Sequence, residues 1–115
     1  MTMSEYLFLY RGGGRPAGWS PEQMQKQTAK WMTWIKSLGE HGVLKEPGHP
    51  LEPDVKIVNG HDHPVTDGPF TEAKDVIGGY SIVTARDLNE AATLTKGCPH
   101  FDIGGFVEVR PIRQM

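Results

Sequence analysis

Glycine and proline cut this chain into short pieces. Its 14 glycines and 9 prolines concentrate at residues 12–18, 42–53, 60–69 and 97–105. Glycine supplies backbone conformations that other residues avoid, and proline removes a backbone donor, so such clusters mark loops between periodic segments. The pieces left between them suit a strand or a helix. None approaches the roughly 20 apolar residues that span a bilayer. At 115 residues the chain reads as a single domain over 1–115 with one core.

The first piece, Glu5-Tyr6-Leu7-Phe8-Leu9-Tyr10, is rich in β-favouring residues and predicts a strand. Alternation puts Tyr6, Phe8 and Tyr10 on one face and Leu7 and Leu9 on the other. Leucines suit packing under helices, and the aromatics suit a cavity wall or an interface. The run Arg11-Gly12-Gly13-Gly14-Arg15 could offer backbone N–H groups to an anion. It lacks the Gly-Lys-Ser/Thr ending of a phosphate loop, and a plain connection is the favoured reading.

Ser20-Pro21-Glu22-Gln23 is a helix start: Ser20 caps, Pro21 fits the first turn and Gln23 completes a capping box. Met24, Thr28, Trp31, Ile35 and Leu38 follow at helical spacing, with Met32 and Trp34 beside them, and read as core. Gly39 or Gly42 ends this helix. Val43-Leu44-Lys45 predicts a short strand and 46–53 a loop. Residues 54–59 and 63–66 predict a hairpin around Asn59-Gly60. On an extended strand His61 and His63 would share a face, as two imidazole ligands could. No third ligand has a defined spacing, so solvated histidines at a hairpin tip are the favoured reading.

Gly78-Gly79 implies a bulge or close backbone approach at the start of a strand over Tyr80–Thr84. Asp87 and Glu90 start a second, shorter helix whose buried stripe is Leu88, Ala91, Ala92, Thr95 and Cys98. Cys98 beside His100 invites a nucleophile reading. A thiol on a buried stripe at a helix C-terminus is poorly placed to ionise, so a structural Cys98 is favoured. In the last strand, Gly105–Pro111, Val107 and Val109 suit the helix-covered face. Phe106, Glu108 and Arg110 share the other face. If leucines and valines align, that second face also carries Tyr6, Phe8 and Tyr10, giving a polar-lined cavity that a partner subunit would help to close.

A formal net charge of -2 gives no basic stripe, which argues against nucleic acid as a partner. The polar start Met1–Glu5 lacks the features of a signal peptide, no membrane segment is visible, and the one cysteine rules out a disulfide framework. A cytoplasmic location is the expectation. No cofactor motif is present.

The element order predicts an α+β fold: a ferredoxin-like βαββαβ sandwich with an extra hairpin, both helices on one sheet face. Val65-Thr66-Asp67-Gly68-Pro69-Phe70-Thr71-Glu72-Ala73-Lys74, Gly78-Gly79-Tyr80, Asp87-Leu88-Asn89-Glu90-Ala91, Cys98-Pro99-His100 and Val107-Glu108-Val109-Arg110-Pro111-Ile112 resemble the YCII-related family, and most closely its DGPF-domain branch. The resemblance implies a homodimer of the dimeric α/β-barrel type. It also implies a superfamily that includes cofactor-free isomerases, dehydratases and oxygenases as well as binding proteins. Members of the branch are often encoded beside extracytoplasmic-function sigma factors. In related YCII proteins a His–Asp pair is the proposed active site. Asp67 matches the aspartate by position, and His100 or His41 matches the histidine.

Two functions follow as expectations. One is cofactor-free acid–base chemistry, isomerase- or lyase-like, on a small polar molecule. Asp67 and His100 would be catalytic, with Tyr6, Tyr10, Phe70, Tyr80, Glu108 and Arg110 lining the substrate site and Arg110 binding an anionic group. The other is a non-catalytic ligand-binding or regulatory module linked to a sigma factor. A metal site at His61 and His63 is the third and weakest reading.

Overall fold

The computed structural model describes residues 2–14, 18–67 and 75–115. Two strand–helix–strand units interleave in one antiparallel sheet. The elements are β1 (Ser4–Gly12), α1 (Pro21–Glu40), β2 (Leu44–Glu46), β3 (Ile57–Val58), β4 (Val65–Thr66), β5 (Ile77–Ala85), α2 (Leu88–Thr93) and β6 (Gly105–Pro111). Two 3-10 turns, Leu94–Gly97 and Pro99–Ile103, carry the chain from α2 to β6. The sheet order is β2-β5-β1-β6, and β3-β4 form a separate two-stranded hairpin. This order and connectivity are compatible with the expected ferredoxin-like sandwich.

The α1 start is as its sequence dictates. The Ser20 side chain accepts from the Gln23 N–H, and the Gln23 side chain accepts from the Ser20 N–H, a complete capping box. The helix runs to Glu40, and Gly42 follows in the left-handed region (φ 73°). His41 caps this end with Nδ1 2.6 Å from the Ser37 carbonyl oxygen. The buried line of α1 is turned from the expected one: Trp34 and Leu38 are buried, Trp31 and Ile35 are half-buried, and Met24, Thr28 and Met32 are exposed. In α2, Ala91 is buried but Leu88 and Ala92 are exposed; Thr95 and Cys98, beyond the helix, complete its inner side.

The largest correction concerns the faces of β1. Tyr6, Phe8 and Tyr10 lie under the helices, and Leu7 and Leu9 point the other way. The reason is the neighbouring strand. Tyr10 pairs with Gly79, Phe8 with Ser81, Tyr6 with Val83 and Ser4 with Ala85. That face of β5 carries mostly small side chains, so there is room for large rings beside it. The rings then meet the indoles of α1: Phe8 stacks on Trp34 at 6.3 Å, and Tyr10 meets Trp31 edge-on at 4.8 Å. On the other flank Tyr10 pairs with Val107 and Phe8 with Val109, so the valines do face the helices as expected. Glu108 pairs with Leu9 and Arg110 with Leu7, so the leucines and valines are not aligned and the aromatic face does not carry Glu108 or Arg110.

Candidate functional site

A cleft of about 610 Å³ opens between α1, the upper ends of β1 and β5, and the loop that follows β2. The double glycine builds one wall. The β1–β5 register slips between Tyr10 and Arg11, so Gly78 is bulged. The post-β2 loop lies against this bulge, with Leu51 N–H donating to the Gly78 carbonyl at 2.9 Å and Pro50 bridging to Gly79. Gly48 makes the approach possible: it sits at φ 74°, and a Cβ there would come 1.7 Å from the Tyr80 carbonyl oxygen.

Aromatic and aliphatic groups dominate the lining: Tyr10, Trp31, Ile35, Pro47, Val76 and Ile103. Among the described lining residues there is no Asp, Glu, Lys or Arg. Polar groups are few and ordered. The Tyr10 hydroxyl donates to Ser81 Oγ at 2.7 Å, and Ser81 Oγ donates to the Pro47 carbonyl at 2.7 Å. Burial pushes the Tyr10 phenol well above its ordinary pKa, so it stays neutral.

His100 is buried in the 3-10 turn after Pro99 and borders the same cleft. Its Nε2 lies 2.8 Å from the Arg11 carbonyl oxygen. A carbonyl only accepts, so Nε2 carries the proton and Nδ1 is the basic nitrogen of the neutral ring. The ring sits edge-on to Tyr10, centroids 6.1 Å apart. Gly105 gives it space, since a Cβ there would lie 2.2 Å from Nε2. Cys98, just before, is buried, and desolvation pushes its thiol up to about 11. That pKa and burial fit packing rather than nucleophilic attack.

The expected site residues do not converge. Tyr10 and His100 line the cleft, and Tyr80 borders it beside His49, their rings 6.2 Å apart. Tyr6 is buried in the core and does not line it. Glu108 and Arg110 lie on the opposite sheet face. There Glu108 bonds Arg11 at 2.5 Å and Arg110 at 3.1 Å, and the bond from Arg11 leads in holding its carboxyl below the usual range. Arg11 also reaches Asp75 at 3.5 Å. Arg110 is therefore not placed to bind an anion in the cleft. Asp67 is exposed and paired with Lys56 Nζ; it makes no hydrogen bond to His100 and does not line the cleft. His41 is exposed at the end of α1, also away from the cleft. Phe70 and the rest of 68–74 lie outside the described residues, as does Arg15. His61 and His63 sit in the β3–β4 connection, and among the described residues no three His, Cys, Asp or Glu side chains gather as a metal site would require.

Ser81 and His49 were missed from the sequence. Ser81 had a signal: a hydroxyl on the small-residue face of β5, cross-strand from an aromatic. His49 had none, since only the tertiary path of the loop brings it to the cleft.

The family model for the YCII-related domain matches residues 6–115, and the chain belongs to that family. No curated protein matches it. Among solved structures it is similar to 5-chloro-2-hydroxyhydroquinone dehydrochlorinase from Burkholderia phenoliruptrix AC1100, in complex with 2,5-dihydroxybenzoquinone. That likeness has a TM-score of 0.50 and 19% identity, and covers 96% of this chain and 95% of the other; it shows the shared α+β fold. No helix among the described residues is long and apolar enough to cross a membrane.

Proposed function

We propose that the cleft binds a small, flat, uncharged molecule and that His100, not Asp67, is the group positioned for proton transfer. One observation carries this reading: a buried histidine of fixed tautomer borders an aromatic cleft without a charged lining side chain among the described residues. With Nε2 tied to the Arg11 carbonyl, Nδ1 of the neutral ring is the nitrogen left to accept a proton from a bound molecule. In an isomerisation His100 would take a proton from one atom of the held substrate and return it to another; in an elimination it would take the proton while the leaving group departs with its bonding pair. The half-buried Trp31 indole supplies a flat face for stacking, held edge-on by Tyr10. The Thr66-Asp67-Gly68-Pro69-Phe70 run supports the DGPF branch, with Asp67 as a surface marker of it rather than a catalytic acid.

The other sheet face supports a homodimer. Leu7, Leu9 and Ile82 are half-buried there, flanked by the Lys45–Glu5 pair and the Arg11–Glu108–Arg110 cluster. Light scattering at micromolar concentration would give twice the protomer mass; a monomer would end the dimer reading.

Native mass spectrometry after incubation with a metabolite extract tests the cleft. Wild type and Asp67→Asn should retain the same small neutral ligand. His100→Gln should bind it but fail to convert it, with turnover down about 100-fold if His100 is the general base. Ligand retention lost in Asp67→Asn, or turnover intact in His100→Gln, would refute the assignment.

A further inference from the structure

Hydrogen-bond polarity inside the cleft is fixed by backbone carbonyls, and it restricts the ligand more sharply than shape does. Ser81 has one proton, and it goes to the Pro47 carbonyl. Tyr10 must therefore donate its own proton to Ser81, because no other proton lies between the two oxygens. The Thr28 hydroxyl, also in the lining, donates to the Met24 carbonyl at 3.0 Å. The His100 Nε2 proton goes to Arg11. All four side chains have spent their protons on the protein. What remains for a ligand is lone pairs on Tyr10 Oη, Thr28 Oγ1 and His100 Nδ1; the fully buried Ser81 sets the polarity of Tyr10 from behind.

Trp31 and His49 keep free side-chain donors in the lining, but Trp31 is half-buried and His49 exposed, so water can satisfy both; Tyr80 pairs with Leu9 and shares its face, away from Tyr10 and Ser81. The deepest polar groups that a ligand can touch, Tyr10 and His100, are each 6% exposed and offer it lone pairs only. A ligand carbonyl, ether or carboxylate placed against them would set lone pair against lone pair with no water to intervene, and a buried polar group left unpaired is costly.

From this we infer that the cleft selects neutral aromatic ligands that carry an O–H or N–H donor, phenols in particular, and that the Tyr10–Ser81 pair is the specificity-determining element. The inference rests on the cleft being a binding site, and extends that reading by naming the ligand class. A donor aimed at the inner wall gains a partner that no acceptor ligand can have. A phenol hydroxyl that reaches Nδ1 of His100 is also correctly placed to pass its proton to that nitrogen, giving phenolate and imidazolium.

Three naphthalenes of one shape test this by calorimetry or ligand-observed NMR: 2-naphthol, 2-methoxynaphthalene and 2-naphthoate. Wild type should bind the naphthol about tenfold tighter than its methyl ether, the worth of one buried hydrogen bond, and the naphthoate more weakly still. Ser81→Ala releases the Tyr10 proton for donation outward, so the ether should gain and the tenfold gap should narrow or invert. Tyr10→Phe leaves Ser81 bonded to Pro47 and removes the phenol lone pairs; it should lower naphthol affinity with little effect on the ether. It also serves if Ser81→Ala does not fold. Equal wild-type affinity for naphthol and ether would overturn donor selection while leaving the cleft reading intact. A gap unchanged in both variants would remove Tyr10–Ser81 as its source. Binding of none of the three by folded protein would overturn both readings.

Discussion

The two faces of the four-stranded sheet solve different problems. The helix-covered face is built from large-against-small cross-strand pairs, and its aromatic rings leave one end of the face unfilled, as the cleft. Around the cleft its ordered polar groups are the Tyr10 and Ser81 hydroxyls and the His100 imidazole, each tied to a carbonyl directly or through Ser81. The other face is built from Leu7, Leu9 and Ile82, with Tyr80 and Thr84 in the same register, and its charged groups are paired with one another. Charge is tolerated where water or a partner surface lies opposite; neutral hydrogen bonding is required where it does not. The cleft therefore formed on the covered face, where small residues on β5 left room, and not where the charged residues are.

The widest difference should appear in stability. Phe8 is fully buried under Trp34, and Phe8→Ala should cost about 3–5 kcal/mol. Leu9, its neighbour on the other face, is half-buried in the protomer, and Leu9→Ala should cost about 1–2 kcal/mol. Denaturant titration compares them at low protein concentration. Equal costs would mean that the leucine face is already covered in solution, and a concentration-dependent Leu9→Ala cost would point to a partner copy.

The faces should also fail at opposite ends of the pH scale. On the covered face, burial raises Tyr10 and Cys98, so both hold their protons longer when folded than when unfolded. Their contribution is complete below their unfolded values and is lost as pH rises; for Cys98 the window runs from 9.0 to about 11. The loss from Cys98 should be on the order of 2 kcal/mol. Glu108, on the other face, is lowered by Arg11 first, so its contribution is present above its unfolded value and is lost as pH falls through the folded one. Thermal melts of Tyr10→Phe/Cys98→Ala should flatten the alkaline limb, and Glu108→Gln should flatten the acid limb. An alkaline limb unchanged by the double substitution would refute this division.

The smallest effect is expected from the residue that the sequence made most prominent. Asp67→Asn removes an exposed ion pair to Lys56 and should change stability by no more than about 0.5 kcal/mol. A large loss would mean that Asp67 holds structure beyond its pair with Lys56.

Local signals were legible because their causes are local. Ser20, Pro21 and Gln23 set the start of α1, Gly78-Gly79 set the bulge, and Cys98-Pro99-His100 carried both the family resemblance and a residue that does line the cleft. The family and the α+β class were readable for the same reason, since element type and order follow from periodicity and punctuation along the chain. Which face of β1 is covered was not readable. The alternation of Tyr6-Leu7-Phe8-Leu9-Tyr10 is apolar on both sides, so its own pattern gives no direction. The choice was made by residues about 70 positions away, when Gly79, Ser81 and Val83 came to lie beside those aromatics. That pairing fixed the register, the register put Glu108 and Arg110 on the far face, and the space left above the small side chains became the cleft.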